Sequence, residues 1–186
     1  MNLLRLRARA RSIRALARAR AWALFYPGVQ TGRRSRIGRG CRLILEPGGR
    51  LILADRCTID DQTTLAAYCS GTIELGRESF LGHHCTIAAR ERVEIGAGTY
   101  LAELVSVRDH DHAAGASPGS GAVEITPVSI GNDVWLGAKV TVLRGAHIGD
   151  GSVIGANAVV RGEIPPRSVA VGIPASVVRT IEGGLG

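Results

Sequence analysis

The chain has 186 residues, 45% hydrophobic but only 4% aromatic, with 25 Gly and a formal net charge of +7. That length suits one domain with a real core, and no apolar run reaches the ~18 residues of a membrane span. The charge is lopsided: residues 1–45 hold twelve Arg and no acid, while the other 141 hold eleven basic and sixteen acidic residues, so the overall charge does not point to a nucleic-acid partner.

The first element is MNLLRLRARARSIRALARARAWALFYPG. Leu3, Leu6, Ala10, Ile13, Ala17 and Leu24 follow helical spacing on one face. Arg7, Arg11, Arg14 and Arg18 mark another, and Pro27-Gly28 stops the run. The spacing predicts an amphipathic helix over 1–27. No clean apolar core follows the basic part, so it is not a secretory signal. Two roles stay open. The helix caps the open end of the following repeat, or it caps and also lies on an anionic membrane surface through residues 1–26, with Trp22 and Phe25 in the interface.

From residue 37 the chain repeats in sixes, grouped in threes. Ile37 and Leu43 begin the frame. Leu53, Ile59 and Leu65 form a triple, then Leu75, Leu81 and Ile87, then Ile95, Leu101 and Val107. A period of six is not a helical stripe. Three hexads make eighteen residues, one turn of a triangular coil whose short strands pair edge to edge as parallel sheets ~4.8 Å apart. Extra residues fall between triples: four after Leu65, two after Ile87 and seventeen after Val107. Cys41, Cys57, Cys69 and Cys85 each stand four residues after a frame aliphatic, the small inward position, and no CxxC spacing suggests zinc. They are expected to be buried, reduced thiols.

The long insertion carries SVRDHDHAAGASPGSGAV, the densest cluster of titratable groups in the chain. Its Gly/Ala/Ser/Pro stretch from Ala113 to Ala122 predicts a mobile loop within 108–127. The frame then resumes at Ile130, Leu136, Val142, Ile148, Ile154 and Val160, with Val134, Val140, Ala146, Ser152 and Ala158 at the small positions. The repeat domain extends over 28–180, followed by a tail at 181–186.

The hexads, the segment Ile130–Ala156 and the ending VGIPASVVR resemble the hexapeptide-repeat acyltransferases, and among them the sugar and polysaccharide O-acetyltransferases. The resemblance implies an all-β fold, a left-handed parallel β-helix of triangular coils. It also implies a bacterial homotrimer that uses acetyl-CoA as cosubstrate, with no metal. The reaction would be acetyl transfer to a hydroxyl of a sugar or a polysaccharide or lipid-linked saccharide precursor, in the cytoplasm or at the inner face of its membrane. A sugar hydroxyl is a weak nucleophile, and histidine, with a pKa near 6.5, is the natural base. In the family that base stands five residues after a frame aliphatic. Counting from Val107 selects His112, with His110 the alternative; Asp109, Asp111 or a backbone carbonyl would orient it. A backbone N–H around Trp135–Ala138 would steady the oxyanion, Gly137 permitting close approach.

The resemblance also places Trp135 beside the CoA arm and Ala138 and Ala156 against the pantetheine. Arg161 falls where the family often has Thr followed by Lys, and Gly162 takes the Lys position. Ser176 replaces a frequent basic residue, with Arg179 three residues on. Lys139, Arg144, Arg161 and Arg179 are the cations available to CoA phosphates. His83 and His84 are candidates for acceptor contact, together with Asp111. Two other classes are weighed. A carbonic-anhydrase-like enzyme would need three His around zinc, for which His84, His110 and His112 are the available set. A non-catalytic scaffold would use the β-helix for stacking alone.

Overall fold

The computed structural model describes residues 3–115, 117 and 121–182, with side chains from Ala10 onward. The tip of the glycine-rich loop, the side chains of Leu3, Leu6 and Arg7, and residues 183–186 of the tail lie outside the described residues. An α-helix, α1 (Leu3–Phe25), precedes a triangular prism of stacked coils.

Each hexad makes one short strand, and every third strand falls on the same face. The first face holds seven strands, from Val29–Thr31 through Arg50–Leu53, Thr72–Leu75, Arg92–Ile95, Val128–Ile130 and His147–Ile148 to Glu163–Ile164. The second runs from Arg36–Ile37 through Thr58–Ile59, Phe80–Leu81, Tyr100–Leu101, Trp135–Leu136 and Val153–Ile154 to Ser168–Gly172. The third has six strands: Arg42–Leu45, Thr64–Ala67, Thr86–Ala89, Ser106–Arg108, Thr141–Val142 and Val159–Val160. These give six complete turns. Pairing is parallel and in frame, as in Leu51↔Ile73, Leu81↔Leu101 and Val107↔Val142.

The frame aliphatics fill the axis of the prism. Ile37, Leu65, Leu81, Ile87, Leu101, Leu136, Ile148 and Ile154 are fully buried, each worth about 2 kcal/mol of transfer free energy. Leu43, at the open end, is only half-buried. The small inward positions carry polar atoms that are all used. Ser35 Oγ donates to Ala54 O at 2.7 Å, Thr63 Oγ1 to Gly82 O at 2.9 Å and Thr99 Oγ1 to Gly131 O at 2.7 Å. Cys41, Cys57 and Cys85 do the same through sulfur, to Asp60 O, Gly76 O and Ala102 O, each at 3.1 Å. Each of these hydroxyls and thiols thus satisfies a carbonyl of the next coil, which permits the burial of all but Cys41, expected to be buried but only half-buried in the first coil.

Cys69 departs from the expected pattern. It is exposed, with φ 53°, at the turn made by the four residues inserted after Leu65. The insertion takes up the register, and Ala67 and Ile73 become the inward residues instead.

The helix also seats differently from the spacing. Its buried residues are Ala15 and Ala19, flanked by half-buried Ser12 and Trp22, whereas Ile13 and Leu24 of the expected apolar face are 66% and 77% exposed. Small side chains let the helix approach the first coil closely. Arg18 Nε donates to Ile37 O at 2.8 Å, satisfying a carbonyl on the open strand edge. Arg11 lies 3.2 Å from both Asp60 and Asp61.

At the other end, Ala175–Thr180 folds back antiparallel on Ser168–Gly172. All the insertions fall at the corner between the third and first faces. The largest begins and ends in a hairpin, His110–His112 against Val123–Ile125, where the sequence predicted a mobile loop.

Candidate active site

The chain leaves the third face at Asp109, which is fully buried. One coil earlier, the extra residues after Ile87 turn three successive amides inward. The Asp109 carboxylate accepts all three: Arg90 N–H at 2.8 and 3.0 Å, Glu91 N–H at 2.7 Å and Arg92 N–H at 2.8 Å. Oδ1 also lies 2.8 Å from Nδ1 of His110. A carboxylate held by three amides can only accept, so the imidazole proton sits on Nδ1 and Nε2 is left as the basic nitrogen. The His110 side chain is 17% exposed. Its ring meets Tyr68 edge-on, centroids 5.8 Å apart at 89°, and the Arg90 guanidinium lies 5.5 Å over the Tyr68 ring. Arg90 Nε is buried with no hydrogen-bond partner among the described residues.

Tyr68 and Arg90 were missed by the sequence reasoning, although a signal existed. Tyr68, Arg90 and His110 each stand three residues after a frame aliphatic, Leu65, Ile87 and Val107, and those aliphatics pair directly coil to coil. The three side chains therefore form one column on this corner.

His112 is two residues further out on the same hairpin strand, hence on the same side as His110, and is exposed. No side-chain hydrogen bond to it is found among the described residues. Asp111 faces the other way, opposite Glu124. Arg144 pairs with both, at 3.8 Å from Asp111 and in close contact with Glu124. It holds the hairpin base against the next coil rather than standing apart as a cation.

Ala138 and Ala156 stack one coil apart at a different corner, between the second and third faces, where Asn157 N–H donates to Ala138 O at 2.9 Å. Gly137 is needed there, because a Cβ would sit 2.7 Å from Ala156 N. Its own amide is taken, donating to Ile154 O at 2.8 Å. Trp135 and Lys139 amides are taken too, by Ser152 O and Glu103 O. Ala138 N–H is absent from that backbone ladder among the described residues. Trp135, 53% exposed, stands on the second face beside Tyr100. Arg161 is exposed on the hairpin's corner two coils above it, and Arg179 is exposed on the closing strand. The six residues expected at the CoA arm are thus divided between two corners and the second face.

His83 and His84 belong to the Ala138 corner, not to the hairpin's. His83 Nε2 is 3.0 Å from Asp60 Oδ2. Asp60, Asp61 and His83 are the one group of potential metal ligands among the described residues, and Arg11 already lies against both carboxylates. Burial alone would raise the Asp61 pKa, but the Arg39 amide and the charge of Arg11 outweigh it and hold the carboxyl below its ordinary value. His84, His110 and His112 do not converge within the chain.

Comparison with known proteins accords with this architecture. Residues 127–162 match the model for "Bacterial transferase hexapeptide (six repeats)". The chain is 35% identical over 156 residues to WbbJ of Escherichia coli (strain K12), described as a lipopolysaccharide biosynthesis O-acetyl transferase, covering 76% of this chain and 80% of that one. It is 36% identical over 110 residues to the galactoside O-acetyltransferase of the same organism, covering 59% and 54%. Among solved structures, a galactoside acetyltransferase in complex with coenzyme A superposes with a TM-score of 0.62 at 23% identity, over 93% of this chain and 82% of that one. Coil stacking, the broken corner and identity over most of a relative's length agree, and the chain belongs to the hexapeptide-repeat acetyltransferase family.

Proposed function

We propose that the protein transfers an acetyl group from acetyl-CoA to a hydroxyl of a sugar unit in a saccharide or its lipid-linked precursor, with His110 as general base. The observation that carries this reading is the Asp109–His110 pair: a buried carboxylate at 2.8 Å from Nδ1 fixes the ring and its tautomer. His110 Nε2 removes the proton as the acceptor oxygen attacks the thioester carbonyl. The C–S bond breaks as the tetrahedral intermediate collapses, and the same proton passes to the departing CoA sulfur. Ala138 N–H is the donor for the oxyanion, since its neighbours' amides are already engaged.

The base and that donor lie on different corners of one prism, with the third face between them. A six-residue side spans up to about 20 Å, too far for one thioester to touch both ends. The site is therefore completed between copies, the hairpin corner of one meeting the Ala138 corner of the next in a homotrimer. The WbbJ and galactoside acetyltransferase relatives support the choice of a saccharide acceptor.

The test is purified protein with acetyl-CoA and a panel of free sugars, oligosaccharides and lipid-linked saccharides, following CoA thiol release, with light scattering for the assembly. Release that requires a hydroxyl acceptor, from a trimer, supports the proposal. Release only with amino sugars would move the activity to N-acetylation, and a monomer with full turnover would refute the shared site.

A further inference from the structure

The apolar stripe in the sequence of α1 is a true helical face, but the core does not use it. The helix sits on the first coil through Ala15 and Ala19. At 3.6 residues per turn, Ile13, Ala17 and Leu24 lie on the opposite side. Ile13 is 66% exposed, Leu24 77% and the neighbouring Phe25 73%. Single exposed apolar residues are ordinary; an aligned row of them on one helix needs a partner.

The charges around the stripe say which kind. Exposed Arg14 and Arg20 flank it on its two sides, and residues 1–45 hold twelve Arg and no acid. Beside the helix, Arg20, Arg33, Arg34, Arg56 and Arg77 line a cavity of about 700 Å³, where Asp55 pairs with Arg33 and Glu78 with Arg56. No helix among the described residues is long and apolar enough to cross a membrane. An apolar row bordered by guanidinium groups fits a surface of hydrocarbon beneath anionic headgroups.

We propose that the outward face of α1 docks the protein on an anionic lipid bilayer. Ile13, Leu24 and Phe25 enter the acyl boundary while Arg14, Arg20 and the exposed Arg34 and Arg77 of the cavity meet the phosphates. The inward face stays on the first coil, so docking requires no unfolding. The proposal holds whichever acceptor is used.

The experiment is flotation of the full-length protein with vesicles of phosphatidylglycerol and phosphatidylcholine in equal parts, and with phosphatidylcholine alone. Ile13→Glu/Leu24→Glu and Arg14→Gln/Arg20→Gln run beside it, with melting temperature and light scattering on each. The expected result is flotation with anionic vesicles only. It should fall at least tenfold in Ile13→Glu/Leu24→Glu with unchanged melting, and by roughly fivefold per arginine at low salt in the other variant. No flotation of the unaltered protein, or equal flotation of Ile13→Glu/Leu24→Glu, would overturn the proposal. A smaller assembly in Ile13→Glu/Leu24→Glu would overturn it in favour of a contact between copies.

Discussion

The corner that bears the hairpin and the corner that bears Ala138 stack the same coils, yet they are built in opposite ways. The first breaks the repeat at four successive coils, and the last three breaks each place a side chain: Tyr68, Arg90, then His110 above the buried Asp109. The second keeps the repeat and offers backbone, with small residues, amides mostly engaged, and Gly137 where any side chain would collide with the next coil. Irregular segments can aim side chains, while regular coils can only present a repeated surface. Under the proposed function, proton transfer belongs to the first corner and thioester binding to the second.

That division can be broken by substitution, and the largest effect is expected at the base. His110→Ala should lower kcat/KM for acetyl transfer by about 10²- to 10⁴-fold, and His112→Ala by less than tenfold, measured as CoA release; the reverse order would put the base on His112. Asp109→Asn comes next. An amide has one acceptor oxygen where three N–H groups and an imidazole need partners, so unfolding free energy should drop by about 2 kcal/mol in denaturant titration, with activity falling alongside.

At the second corner the signature should be different in kind. Ala156→Phe adds bulk at an exposed turn without touching the core. The KM for acetyl-CoA should rise about tenfold, equivalent to 1.4 kcal/mol, with melting unchanged. A fall in kcat at constant KM would mean that corner takes part in the chemistry. The smallest effects sharpen the contrast between broken and regular corners through the thiols. Cys69, on the broken corner, should be alkylated rapidly in the native protein, and Cys57 and Cys85 only after unfolding. Burial pushes the Cys85 thiol up to about 11 from the usual 9.0. Its folded-state pKa is the higher one, so the unfolded chain loses the proton first. Stability should therefore decline as pH rises from about 9 towards 11, and Cys85→Ala should flatten that decline.

Much of the coil fold was legible because its signal is one-dimensional. An aliphatic every sixth residue fixes which side chains point inward and where coils stack, and from Ile37 to Val160 only Leu43 at the open end escapes full burial. The same frame held Tyr68, Arg90 and His110 in one column, but counting to the fifth position after Val107 favoured His112 instead. What distinguishes the two histidines is a carboxylate buried under three amides of the preceding coil. That contact runs between residues seventeen to nineteen apart, and no local spacing encodes it.

Cys69 and α1 mark the same boundary between sequence and tertiary structure. An insertion of four residues re-registers the turn and leaves the thiol outside, although its distance from Leu65 is that of a buried position. In α1 the periodicity determined that one face is apolar and another carries arginine. Only the packing decided which face turns inward: the first coil receives the helix on the small Ala15 and Ala19 and leaves Ile13 and Leu24 outside. Periodicity defines faces through bond geometry. The occupant of each face is set by the shape of what it meets, and that depends on contacts the chain makes only once it is folded.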